Sequence, residues 1–453
     1  MGFRDIVRCL KPRESRRTPL IKTQLSIAAE KLRNVLQTQT LCALGRATGL
    51  TKRMREVTPD RFALSLICAL AMGKVNSLAD VVRSFNALTG RSVQYKPFHN
   101  QLSKAAFPVF MERVCEKMLG ELVGKVLRPV SRSVLDAFDD IWIQDGTSFA
   151  LHHGLAEAFP GRFTTLTPAA VEIHATMSLY QDEAIAISIA PDSWGEREFL
   201  PAPTALRGIL ILADRGYTDK AYARHVTAAG GSFVIRFKKG MNPTVVSGWV
   251  ANTRMRGLVG KPLHALMGKF RKKTVDLDVV WGTGEHKIEM RLLLAWNPQE
   301  QAHMILATNL NRETFDIATV LTLYRLRWQV ELLFKEWKSH SNMHKFSTTK
   351  PQIAEGMMWA SLCAAILKRY LAHTVDWIYK AADTSTRKVA MALGHHLPPL
   401  IKALLHNRNI LKRFQELLEY LKSNASRAHP VRDRKRGRLA LDLQLVGSLA
   451  RAF

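Results

Sequence analysis

The chain has 453 residues, 47% of them hydrophobic, more apolar material than one compact core holds, and its length points to about two to four domains. Lys and Arg number 66 against 38 Asp and Glu, a net charge of +28 that gathers polyanions and points to nucleic acid, with a ribosome-associated protein or a merely basic enzyme as alternatives. Five scattered cysteines (Cys9, Cys42, Cys68, Cys115, Cys363) without a CxxC pair argue against a disulfide framework and a zinc ribbon, and suit a reducing cytosol.

The N-terminus is charged throughout and lacks the apolar stretch of a signal peptide. Residues 1–130 read as helices, with apolar residues at helical spacing over Thr23–Gln37 and Arg61–Met72. A capped helix is predicted after Ser77, a break at Thr89-Gly90, and a further helix from Pro97. That outline suits a helix-turn-helix, and equally any helical hairpin with a glycine turn.

The texture changes near residue 139. Strands are predicted at Asp140–Asp145, Val171–Tyr180, Ala184–Ala190 and within Leu206–Ala213, then a helix at Asp219–Ala229 and a strand at Ser232–Phe237. Three adjacent strands followed by strand–helix–strand is the order of a ribonuclease H-like fold, among other mixed α/β folds. Residues 240–310 hold further strand-like segments at Lys273–Trp281, Lys287–Ala295 and His303–Thr308. No Asp or Glu occurs between Asp219 and Asp276, while twelve Lys or Arg do, including Arg271-Lys272-Lys273. A surface tuned only for solubility mixes both signs, so this stretch is a candidate DNA-contacting surface. Long helices return from Asp316 to Leu421, and the run Gly356–Leu367 is too short for the roughly twenty residues of a membrane span, so it reads as a buried helix. The run His429–Arg438 is basic and punctuated by Pro and Gly, either a phosphate contact or a solvated tail.

The most informative segment is Leu323–Lys338. On one ideal helix of about 100° per residue with Tyr324 at 0°, Arg327, Glu331 and Lys338 fall near roughly 300°, 340° and 320°. Leu323, Leu326, Val330, Leu333 and Trp337 gather on another side, at roughly 180–260°. One face thus offers a carboxylate for a metal, two cations for phosphate oxygens and an aromatic hydroxyl. An amphipathic surface helix with ordinary charge pairs has the same spacing.

Tyr324-x2-Arg327-x3-Glu331-x6-Lys338 resembles the signature of the insertion-sequence-four family of DDE transposases at all four positions. Two shorter patterns, Ile143-Gln-Asp145-Gly-Thr-Ser and Leu212-Ala-Asp214-Arg-Gly-Tyr217, resemble the family's first and second acidic motifs and fall in the right order. Asp140 is the rival for the first acid. The resemblance covers residues 135–345. It implies an α/β ribonuclease H-like core with a β-rich insertion, plus N-terminal and C-terminal helical domains. The expected divisions are 1–130 (helical, DNA-binding), 131–239 and 311–375 (core), 240–310 (insertion) and 376–453 (helical, with the basic tail).

It further implies catalytic, metal-holding roles for Asp145, Asp214 and Glu331, with two Mg²⁺ ions, Mn²⁺ substituting. In-line displacement at phosphorus builds charge on the entering and leaving oxygens, which two hard cations held by carboxylates offset. No His/Cys cluster with soft-metal spacing competes. Tyr324, Arg327 and Lys338 would hold phosphates, and Met304 would wedge into DNA where a base is flipped out, with packing in the insertion as its alternative role. The implied activity is cut-and-paste transposition by a cytoplasmic, nucleoid-associated homodimer acting on terminal inverted repeats and target DNA. The alternatives are a DNA-binding derivative without catalysis and a nuclease without strand transfer.

Overall fold

The computed structural model describes residues 14–73, 75–122, 134–238, 240–251, 253–340, 348–379 and 384–427. The basic run His429–Arg438 lies outside them. The chain divides into a helical unit, drawn from Met1–Lys125 and Lys335–Pro430, and a sheet-bearing unit within Val126–Phe334.

The helical unit opens with α1 (Glu14–Leu36), α2 (Thr38–Ala47), α3 (Pro59–Ala71), α4 (Leu78–Thr89), α5 (Tyr95–Leu102) and α6 (Ala106–Glu121). Helix α4 starts at the expected place because Ser77 and Asp80 form a reciprocal capping box, and it stops where Gly90 takes a left-handed φ of 65°. Apart from Arg61, every residue of α3 is buried, as befits a helix apolar on nearly all sides. Its Phe62 packs on Phe98 and Phe107, with ring centroids 5.3 and 5.2 Å away.

The sheet-bearing unit runs β1 (Asp140–Ala150), β2 (Ala170–Ser178), β3 (Glu183–Pro191), β4 (Ile209–Ala213), α7 (Lys220–Ala228), β5 (Ser232–Arg236), β6 (Thr244–Val250), β7 (Thr253–Arg254), α8 (Leu263–Phe270), β8 (Val275–Trp281), β9 (Ile288–Asn297), β10 (Ala302–Thr308) and α9 (Ile317–Arg325). Helix α10 (Trp328–His340) begins in this unit, and α11 (Pro351–Tyr379), α12 (Thr386–His406) and α13 (Ile410–Asn424) complete the helical one. The segment Gly356–Leu367 is a buried part of α11, and no helix among the described residues is long and apolar enough to cross a membrane.

One sheet holds all ten strands in the order β3-β2-β1-β4-β5-β10-β9-β8-β6-β7. Strands β1, β4 and β5 run parallel, β2 and β3 lie antiparallel beyond β1, and β10 joins β5 antiparallel. The fold is therefore mixed α/β with a large sheet and helices at both ends of the chain. Strands β6 to β10 lengthen that sheet, and they share a core with β4 and β5 built from Ile211, Phe233, Val279, Leu292 and their neighbours.

Two expectations change. The first strand does not end at Asp145: β1 continues to Ala150, paired with β2 from Trp142↔Ser178 to Ala150↔Ala170. The helix expected over Leu323–Lys338 is two helices, with a turn at Leu326-Arg327 between α9 and α10. Leu326, Arg327, Gln329 and Val330 donate three residues back instead of four, a tight turn that rotates α10 relative to α9. The apolar positions on both sides of the break are still buried, so burial survives where the single-helix angles do not.

Candidate active site

Parallel pairing of β1 with β4 ends at Gln144↔Ala213, so Asp145 and Asp214 each stand one residue past the last shared pair, Asp145 within β1 and Asp214 just beyond the end of β4. Adjacent strands lie about 4.8 Å apart, which brings these two acids together from distant places in sequence. Pairing of β4 with β5 ends at Ala213↔Ile235, which sets Arg236 beside Asp214, its Nη1 3.8 Å from Asp214 Oδ1. Tyr324, at the end of α9, donates its hydroxyl to the same Oδ1 at 3.3 Å.

Glu331 lies in the first turn of α10. The turn before it presents Arg327, whose Nη1 donates to Asp145 Oδ2 at 2.7 Å and whose Nη2 donates to Glu331 Oε1 at 2.8 Å. One guanidinium thus links the acid of β1 to the acid of α10. Arg327 Nε is buried without a hydrogen-bond partner. Burial pushes the Asp145 carboxyl up to about 6; Arg327 and the Gly146 N–H work against that rise, while Asp214 and Glu331 add to it. Burial likewise raises the Tyr324 hydroxyl, with Asp214 contributing.

Asp140, the rival first acid, is buried and committed elsewhere. It accepts from the backbone N–H groups of Ile141 and Tyr180, from Trp142 Nε1 and from Ser178 Oγ, which fastens the ends of β1 and β2 together.

The donor set of Asp145, Asp214 and Glu331 is all hard oxygen, the chemistry that Mg²⁺ or Mn²⁺ takes. Among the described residues no three His, Cys, Asp or Glu stand close enough to hold an ion together. Arg327 occupies the space between Asp145 and Glu331, so these residues fit a divalent cation by type, with the guanidinium as their present counter-charge.

The family profile described as Transposase DDE domain matches residues 136–367, just over half of the chain. The chain belongs to the DDE transposases. The transposase for insertion sequence element IS231C of Bacillus thuringiensis subsp. berliner is 21% identical over 451 residues, covering 90% of this chain and 94% of that protein. The transposase for IS1151 of Clostridium perfringens is 20% identical over 347 residues, covering 66% and 72%. Among solved structures, the piggyBac transposase synaptic complex with hairpin DNA aligns with a TM-score of 0.45 and 12% identity over 88% of this chain and 85% of that one. This insertion-sequence transposase is an enzyme of DNA cleavage and strand transfer, and DNA is its partner.

The remaining predicted residues of the transposase are more dispersed. Lys338 lies on the part of α10 that belongs to the helical unit, where burial lowers its ammonium. Arg271, Lys272 and Lys273 form an exposed turn between α8 and β8, with Lys272 at a left-handed φ of 61°. Met304 is half-buried on β10, on the face opposite His303 and Ile305. Trp337 is core and Trp328 is exposed.

A second group, absent from the sequence reading, underlies β1. All nine residues of β2 are buried, its polar side included. Glu172 accepts from Arg162 Nη2 at 3.2 Å, and His174 Nδ1 lies 3.3 Å from the Tyr217 hydroxyl with its ring stacked 3.8 Å from Phe199. Burial raises Glu172 to about 7, with Glu196 contributing, and burial lowers His174 to about 4. This packing explains the glycine after Asp145. A Cβ on Gly146 would stand 2.3 Å from Glu172 Oε1 and 3.1 Å from His174 Nδ1. The available signal was a Glu and a His in the polar register of a strongly alternating strand. Arg236 carried no signal beyond its place at a strand end.

Proposed function

We propose that Asp145, Asp214 and Glu331 hold two Mg²⁺ ions, or Mn²⁺ in their place, and that the transposase uses them to cleave at the ends of its element and join those ends to target DNA. The reading deepens the family assignment to a cut-and-paste mechanism of the insertion-sequence-four type on a ribonuclease H-like core. The strand order β3-β2-β1-β4-β5 supports that core, with β6 to β10 as its β-rich insertion. A homodimer, each copy gripping one terminal inverted repeat, completes the proposal.

One observation carries the reading: Arg327 joins Asp145 to Glu331 while Asp214 stands beside Asp145 at the end of the next parallel strand. Bound divalent cations would stabilise charge on the entering and leaving oxygens of an in-line displacement. Tyr324 and Arg236 keep the Asp214 carboxylate oriented through their contacts with Oδ1. Arg327, once its two carboxylates have another counter-charge, presents a planar fork suited to two phosphate oxygens. Lys338 adds a further phosphate contact, the turn Arg271-Lys272-Lys273 tracks the backbone, and Met304 wedges at a base step.

The test is incubation of the full chain with DNA carrying the flanking inverted repeats and Mg²⁺, resolving strand ends on a denaturing gel. Cleaved and joined products are expected from the wild type. Asp145→Ala, Asp214→Ala and Glu331→Ala should each abolish both products and leave end binding within a few fold. Substantial Mg²⁺-dependent cleavage by any one of the three overturns the assignment, and free ends without joining make the protein a nuclease.

A further inference from the structure

The elbow between α12 and α13, within the helical unit, holds an open cleft of about 800 Å³. Lys402, His406, Arg408 and Arg413 line it, and no acidic residue does. Arg413 is held by Glu416 at 2.7 Å, whereas Lys402 and Arg408 are exposed and make no ion pair among the described residues.

Lys402 and His406 near the end of α12 need no partner to explain them, because cations suit the negative end of a helix. The start of α13 is different. Its first turn carries Lys412 and Arg413, no acid and no side-chain cap on its N–H groups. Arg413 is paired with Glu416 and Lys412 lies outside the cleft, so the uncapped positive end of the helix adds to the charge of Lys402 and Arg408 there, an arrangement that an anion relieves. Asn407 and Asn409 hold left-handed φ values, 47° and 57°, on either side of Arg408, and so turn the chain from α12 into α13. Non-glycine residues adopt that conformation at a cost, which Asn tolerates best.

We propose that this elbow grips the phosphate backbone of duplex DNA without reading its sequence. A concave cleft receives a phosphate ridge, while base readout needs an element that protrudes into a groove. The proposal rests on DNA being the partner of the transposase and is independent of the carboxylate assignment, because its test is binding in EDTA.

The full chain and its Lys402→Ala/Arg408→Ala variant would be titrated by fluorescence anisotropy against a transposon-end duplex and an unrelated duplex at 50 to 200 mM salt. Each lost phosphate contact lowers the slope of log affinity against log salt by about 0.9, so the double variant should lose about 1.8. Over that fourfold salt range its affinity should therefore fall about 12-fold less than that of the wild type, and equally on both duplexes. The charge-retaining Lys402→Arg/Arg408→Lys variant should keep the wild-type slope, which separates charge from folding. An unchanged slope in the alanine variant overturns the proposal. So does a change confined to the transposon end, or one seen with double-stranded RNA and not with DNA.

Discussion

Replacing Asp145 by Asn should make the metal-free protein more stable while abolishing its chemistry. The Asp145 carboxyl stands at about 6 against an ordinary 3.8, because burial outweighs the Arg327 contact. The folded protein therefore holds this proton more tightly than the unfolded chain. The resulting stability is fully present below pH 4 and is lost as pH rises through 6. The displacement is worth about 3 kcal/mol, and it applies with little screening because the side chain is only 16% exposed. Asn has the shape of the protonated acid and never ionises, so it keeps what the wild type loses. Calorimetric melts in EDTA should show Asp145→Asn higher by roughly 6 to 12 °C at pH 7.5, the shift that about 3 kcal/mol produces in a unit of this size. The two proteins should converge toward pH 4. Added Mg²⁺ should raise the wild type, since a ligand of the native state stabilises it, and should raise the variant much less. A gap between the two that does not change with pH would refute the reasoning, as would a variant that melts below the wild type at pH 7.5 in EDTA.

Arg327→Ala removes the cation between two carboxylates and should destabilise the EDTA form by about 3 kcal/mol at pH 7.5, with Mg²⁺ restoring most of the melting temperature. No loss in EDTA would mean that the bridge contributes nothing. Gly146→Ala should cost about 1–3 kcal/mol in a denaturant titration by overpacking against Glu172 and His174, and Glu172→Ala should recover part of it in a double-mutant cycle. Strict additivity of the two changes would place the strain elsewhere. Met304→Ala should spare the first nick and slow second-strand cleavage, with an abasic site at the flipped position restoring the rate. Equal slowing of both steps would make Met304 a packing residue.

Local patterns in the chain already carried much of this protein. Alternation marked β2 closely, because a side-chain period of two is local, and short strand-like segments marked β3, β8, β9 and β10. The Ser77–Asp80 box and Gly90 delimited α4, since caps act within a single turn. The spacing of Tyr324, Arg327, Glu331 and Lys338, with the acids at Asp145 and Asp214, pointed to the DDE transposases, the broader family that the profile match then established. What no linear pattern could decide was proximity. Asp145 meets Asp214 because β1 and β4 pair in parallel, and Arg236 joins them because β5 is next in the sheet. The burial of the polar side of β2 was not legible either, because alternation reports residue type and not what covers it; Arg162, Tyr217 and Phe199 arrive from elsewhere and pack there. The break at Leu326-Arg327 was equally hidden, since neither residue disfavours a helix. There, tertiary contacts outweigh local propensity: Arg327 donates three residues back instead of four and places both halves of its guanidinium on carboxylates that the sheet and α10 bring to it.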